Sequence, residues 1–199
     1  MGADFGWSRR IAPISEDISS DFQNYVNELK TGYHLGVDFE YFITENMSLG
    51  GKYSYFHAVN QLDNIYAILD DGSVVYGMMK DDINIQFWGP DFTAYLDVGG
   101  KHNALFGRIA LGYLKYQDSA TLFEDYKITA GTFGSVMDLG LDIPISKNLA
   151  LRFGFSVTQG VLTKIKLEQG GESLDINLEK EEYENISRFD ISLGLRFRK

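Results

Sequence analysis

Arg188-Phe189-Asp190-Ile191-Ser192-Leu193-Gly194-Leu195-Arg196-Phe197-Arg198 carries an apolar side chain at every odd position and Arg, Asp, Ser or Gly at every even one. Successive side chains on a strand point to opposite faces, so this stretch is a strand with one apolar and one charged face. The rhythm recurs along the chain. Leu149, Leu151, Phe153, Phe155 and Val157 alternate with Ala150, Arg152, Gly154, Ser156 and Thr158. Tyr33, Leu35, Val37, Phe39 and Tyr41 alternate with His34, Gly36, Asp38 and Glu40, and Met47, Leu49, Tyr53 and Tyr55 with Ser48, Gly50, Lys52 and Ser54. Leu105, Ile109, Leu111 and Tyr113 oppose Arg108, Ala110 and Gly112, while Phe133, Met137, Leu139, Leu141 and Ile143 oppose Gly134, Asp138, Gly140 and Asp142.

Strand length separates a membrane barrel from a soluble sandwich. A strand crossing a bilayer needs roughly 9–11 residues, whereas sandwich strands have about 5–6. The alternation here lasts roughly 9–13 residues per strand, which favours the membrane. The expected fold is all-β: an eight-stranded, antiparallel, up-and-down transmembrane β-barrel forming a single domain over residues 1–199. A closed barrel pairs every backbone group between neighbouring strands, the one strand-based solution in lipid. Mean hydropathy is −0.17, which does not oppose this, because lipid-facing residues occupy only alternate positions.

In this reading the apolar face meets lipid, with Trp7, Tyr41, Tyr53, Tyr55 and Tyr113 in the interfacial girdles. The other face encloses a polar network of Asp38, Glu40, Lys52, Arg108, Asp138, Asp142, Arg152, Asp190 and Arg196. Paired charges are tolerable in such an interior and isolated ones are not. Ile83, Ile85 and Phe87 stand in one phase and Phe92, Ala94 and Leu96 in the other, so a bulge is expected at Gly89-Pro90.

The turns fall into two sets. Short ones are expected near residues 45, 100 and 147, the second being Gly99-Gly100-Lys101-His102-Asn103. Long acidic tips are expected over 13–30, 60–82, 117–127 and 166–185, with Asp70-Asp71-Gly72-Ser73 as a hairpin turn. These tips hold 19 of the 28 acids and 5 of the 18 bases. Acid concentrated at the tips argues against nucleic-acid binding. Short turns at one end and long loops at the other is the asymmetry of outer-membrane barrels. The chain has no cysteine, which removes disulfide and thiol chemistry. Met1-Gly2-Ala3-Asp4-Phe5 lacks the charged and apolar regions of a signal peptide, and is read as a mature start after signal removal.

Ile43-Thr44-Glu45-Asn46-Met47-Ser48-Leu49 and Ile145-Ser146-Lys147-Asn148-Leu149, each followed by a strand of glycines and aromatics, resemble the periplasmic turns of small outer-membrane barrels. Gly194-Leu195-Arg196-Phe197 resembles their closing strand, although here Arg198 and Lys199 follow the terminal aromatic. The resemblance is to the group of outer membrane proteins X and W and the A-type membrane domain. It implies the outer membrane of a Gram-negative cell, with the lipid bilayer, lipopolysaccharide and the assembly machinery as partners and a monomer as the working form. The group's tasks range over surface adhesion and defence, small apolar solute passage, membrane anchoring and lipid modification.

No residue pattern announces catalysis. His34, His57 and His102 are far apart in the topology, so a metal cluster is not expected. Ser54 and His57 are separated by an odd number and fall on opposite faces. Asp70-Asp71 and Asp81-Asp82 read as solvated turn residues rather than as a calcium site, which needs several convergent oxygens. The expected function is a non-enzymatic outer-membrane protein without cofactor, with a closed lumen and surface loops for interaction or adhesion. Passage of small apolar solutes and lipid modification are the alternatives. A soluble lipocalin-like barrel, suggested by Gly6-Trp7, is disfavoured by the regular charges of the second face. The 149–169 and 174–197 strands are expected to protrude as a hairpin whose edge could pair with a foreign strand.

Overall fold

The computed structural model describes residues 1–12, 20–68, 72–99 and 103–197. In chain order the elements are β1 (Gly2–Arg10), α1 (Ser20–Leu29), β2 (Thr31–Phe42), β3 (Met47–Ile68), β4 (Val74–Val98), β5 (Asn103–Leu122) and β6 (Glu124–Pro144). They continue as β7 (Leu149–Gln159), β8 (Val161–Leu162), β9 (Lys164–Gln169), β10 (Glu172–Asn177), β11 (Glu184–Asn185) and β12 (Arg188–Phe197). Strands β7 to β9 are successive pieces of one wall strand, and β10 to β12 of another. All pairing is antiparallel, and β12 closes on β1 with Gly2 opposite Arg196 and Arg10 opposite Arg188. The result is a closed eight-stranded barrel.

The wall has two heights. Strands β1, β2 and β12 have 9, 12 and 10 residues, enough for one bilayer crossing. Strands β3 to β6 have 22, 25, 20 and 21, about twice that. The excess forms a head above the closed barrel. Pairing of β2 with β3 stops at Tyr33 opposite His57. Above that level the sheet β3-β4-β5-β6-β9-β10 continues as an open cup.

The two levels bury opposite faces. In the lower barrel Phe5, Leu35, Ile109, Leu139, Phe153, Ile191, Leu193 and Leu195 point outward and are exposed, Leu139 by 60 %. An exposed apolar belt around a closed barrel has a physical partner in hydrocarbon, and the chain is a transmembrane barrel. Aromatic residues mark its upper rim. Trp88 lies 5.3 Å from Tyr113, which lies 5.9 Å from Phe133. Trp7 lies 5.4 Å from Phe189, and Tyr33 6.2 Å from Tyr55. Above this rim the sense reverses. Phe56, Ile83, Ile85, Phe87, Leu114, Tyr116 and Val136 are buried inside, while Asn84, Gln86, Lys115, Gln117 and Thr129 take the outer face. The head is therefore built like a soluble domain, because water rather than lipid surrounds it.

That reversal corrects the expected bulge at Gly89-Pro90. The β3–β4 register runs unbroken from Lys52 opposite Gly89 to Gly51 opposite Pro90. Its shift lies instead at Asp63/Ile65, beside Asn64, whose φ is 59°. The apolar phase changes because the surroundings change, not because the strand slips. Two expected tips are corrected as well. Residues 117–127 are strand on both sides of a turn at Phe123, where φ is 60°. The expected loop at 13–30 contains α1, whose Tyr25, Val26 and Leu29 pack on the head's apolar interior at helical spacing. Of the other expected turns, Gly72 and Gly99 have φ near +80°, as tight turns require. Pro13–Ser19, Asp70-Asp71, Gly100-Lys101-His102, Arg198 and Lys199 lie outside the described residues.

Candidate functional site

The lower barrel holds a dense polar lumen. All nine residues of the expected network point inward, from β2 (Asp38, Glu40), β3 (Lys52), β5 (Arg108), β6 (Asp138, Asp142), β7 (Arg152) and β12 (Asp190, Arg196). Eight of them make one connected cluster. Asp38 is its hub, within 3.1 Å of Arg108, 3.1 Å of Arg152 and 3.2 Å of Arg196. Glu40 takes a two-pronged contact from Arg196 at 2.7 and 2.6 Å and a further one from Arg108. Arg152 grips Asp142 at 2.7 and 2.9 Å. Asp138 accepts from Lys52 at 2.6 Å and from Arg108 at 3.3 Å. Charge-assisted forks of this kind are the strongest polar contacts a side chain makes.

Asp190 belongs to a second cluster, nearer the head. Arg188 lies 3.2 Å from it and donates to Ser54 at 2.9 Å. Ser8 also donates to Asp190. His34 meets Asp4 at 2.8 Å. His34 lies in the lumen, as its phase on β2 predicts, whereas Arg188, Asp4 and Asp91, which lies 3.7 Å from Arg108, are absent from the expected network. Arg188 opens the very strand that decides the fold, in the same even phase as Asp190 and Arg196, so the alternation alone could have placed it inside.

Aromatic rings support the cations. The Arg152 guanidinium lies 4.0 Å over the Phe106 ring, an attraction that strengthens out of water. A side chain at Gly140 would come within 2.5 Å of that ring, so glycine makes the room in which Phe106 and Arg152 stack. Among these side chains the remaining void is about 10 Å³, room for about a single water. Below, a mouth of about 550 Å³ opens at the short-turn end, lined by Glu40, Phe42, Glu45, Tyr95, Asp97 and Arg196.

His34 and His57, the two histidines among the described residues, do not converge. His34 is buried in the lumen. His57 stands on the outer face just above the aromatic rim, 3.0 Å from Asp82. Ser54 points into the barrel and His57 away from it, as an odd separation dictates. Among the described residues no group of three or more His, Cys, Asp or Glu is arranged to hold a metal ion.

In the head, Tyr25 of α1 donates to Asp81 and lies 3.3 Å from the carbonyl of Asn60. Asp118 accepts from the backbone of Asp82 at 3.2 Å and from Tyr116 at 3.4 Å. Burial, and next the neighbouring Asp81, push the Asp118 carboxyl up to about 7. On the far side, the edge of β10 opposite β9 has no strand partner among the described residues.

No family model and no curated protein sequence matches this chain. Solved structures do. The Neisserial surface protein A is 13% identical, and the match covers 100% of this chain and 95% of that one with a TM-score of 0.55. The outer membrane protease OmpT of Escherichia coli is 10% identical with a TM-score of 0.50. That match covers 84% of this chain, which spans only 63% of the protease's length. The chain shares the fold of the small outer-membrane barrels.

Proposed function

We propose that this protein is a non-enzymatic, monomeric resident of a Gram-negative outer membrane, sealed across its lumen, that uses its head for contacts at the cell surface. Lipid, lipopolysaccharide and the barrel-assembly machinery are its partners in this reading. The observation that carries it is the combination of a packed charged lumen with a protruding head that ends on β10, whose edge away from β9 has no strand partner among the described residues. A free strand edge offers unused N–H and C=O groups to an extended foreign segment. Glu172 and Asp175 lie along it, and Leu174 is 60 % exposed, so the matching segment is basic and alternates with apolar residues. The opposite faces of Ser54 and His57 speak against lipid hydrolysis by that pair. Deleting 166–184 should abolish attachment of expressing bacteria to cultured host cells while leaving heat-modifiable gel migration intact. Unchanged attachment would remove the adhesion reading.

One observation favours a second reading, passage of small apolar solutes. Pairing of β6 with β7 ends at Ser135 opposite Gln159 and resumes with β9 at Thr129 opposite Lys166. Residues 130–134 thus border a seam in the wall at the level of the aromatic rim. The apolar interior of Leu114, Val136, Leu162 and Ile186 lies behind it. A disulfide closing the seam between Phe133→Cys and Val161→Cys should block octane uptake into cells if this route operates. Uptake that is absent before cross-linking rules the route out.

A further inference from the structure

α1 covers the open side of the head, and what holds it there is unusual. Its buried anchor, Tyr25, presents a hydroxyl to Asp81, and Asn60 of β3 fixes the helix through the Tyr25 carbonyl at 3.0 Å and Glu28 at 3.0 Å. Asp81 and Asp118 sit side by side on the inner face of β4 and β5, since Asp81 pairs with Ala120 and Ile83 with Asp118. Asp118 is 5 % exposed. The titratable groups facing this pair are Tyr25 from α1, Tyr116 from β5, Tyr126 from β6, Arg10 from β1 and Glu184 from β11. Arg10 is the one cation among them. It lies 6.0 Å over the Tyr116 ring and is engaged by Glu184. Asp118 is thus a buried carboxyl against a half-buried one, Asp81, and such a group is easiest to hold in place while it is protonated.

We propose that Tyr25, Asp81 and Asp118 form a proton-dependent latch that docks α1 over the apolar interior of the head and lets it go as the proton is lost. The sign follows from linkage. Docking buries Asp118 and raises its carboxyl to about 7, whereas release returns it to water and the ordinary carboxylate range. Between those limits the docked state retains a proton that the released state has lost. Docking is therefore strongest at low pH and weakens about tenfold per pH unit up to about 7, then levels off. Release uncovers apolar side chains that Tyr25 and Leu29 now shield. The latch thus couples the pH outside the barrel to the exposure of its interior.

The chain has no cysteine, so Asn24→Cys on the exposed side of α1 accepts a single spin label. Electron paramagnetic resonance of the full chain in lipid nanodiscs from pH 4.5 to 8.5 reads the ratio of mobile to immobilised label. The latch requires that ratio to rise with pH, by about tenfold per unit below neutrality, and to plateau above it. Asp118→Asn and Asp81→Asn should each flatten the profile while keeping heat-modifiable migration. A ratio constant with pH in the parent chain overturns the proposal whether or not the variants fold. So does an undiminished slope in Asp118→Asn.

Discussion

Arg196 and Glu40 stand 156 positions apart and meet through two parallel N–H···O contacts of 2.7 and 2.6 Å inside the barrel. Their strands, β12 and β2, are separated by β1, so the pair bridges the lumen rather than decorating one seam. With Asp38 it ties the last strand to the second, third-party arginines from β5 and β7 completing the ring. Removing one partner of a buried pair costs about 3–5 kcal/mol, because the survivor is left uncompensated. Glu40→Ala is expected to destabilise the barrel by that amount in urea unfolding from lipid vesicles. Adding Arg196→Met to it should recover part of the loss, since fewer charges then remain unpaired.

The packed network also predicts electrical silence. Wild-type protein in planar bilayers should show no unitary channels, as the void among Lys52, Arg108, Asp138 and Arg152 is about 10 Å³. Arg108→Ala, which takes away the side chain shared by Asp38, Glu40 and Asp138, should admit water and a measurable leak. Reproducible channels from the parent chain would show that the lumen is gated rather than sealed.

Depth along the wall should set the cost of an outward charge. Leu139→Arg, within the apolar belt, is expected to destabilise by about 2–4 kcal/mol. Gln117→Arg, outward on the head, should stay within about 0.5 kcal/mol. Equal costs at the two positions would erase the boundary drawn by Trp88, Tyr113 and Phe133.

The head predicts the opposite preference on neighbouring residues of one strand. Ile85 is buried and Gln86 faces out. Ile85→Ala should cost about 2–5 kcal/mol through the cavity it leaves, and Gln86→Ala about 0.5 kcal/mol or less. Limited proteolysis should then cut the head of Ile85→Ala while the membrane strands remain protected.

The barrel was legible in the sequence because its rule is local. Leu193 and Arg196 differ in parity, and parity alone assigns each to a face once strand length has put the apolar side in lipid. The nine network residues came from the same rule, and Arg188 was overlooked although it obeys it. What could not be read locally was the change of solvent along one strand. Ile85 and Phe92 are both apolar and occupy opposite faces, which looks like a slipped register until the girdle is located in three dimensions. The helix was hidden for a related reason. Tyr25, Val26 and Leu29 form a narrow apolar stripe within a polar acidic segment, and its meaning depends on the open cup that only β3, β4 and β5 create. The β10 edge was legible as a long hairpin, whereas the seam beside residues 130–134 arises from pairing that no single strand encodes.

The most direct test of the account is a set of nuclear Overhauser contacts between acyl chains and methyl groups in lipid nanodiscs. Cross-peaks from lipid methylenes should reach Leu139, Leu193, Leu195 and Ile109, and none should reach Ile85, Leu114 or Val136. Contacts to the second set with silence from the first, or a folded monomer that stays soluble without detergent or lipid, would contradict the assignment of the lower apolar face to hydrocarbon.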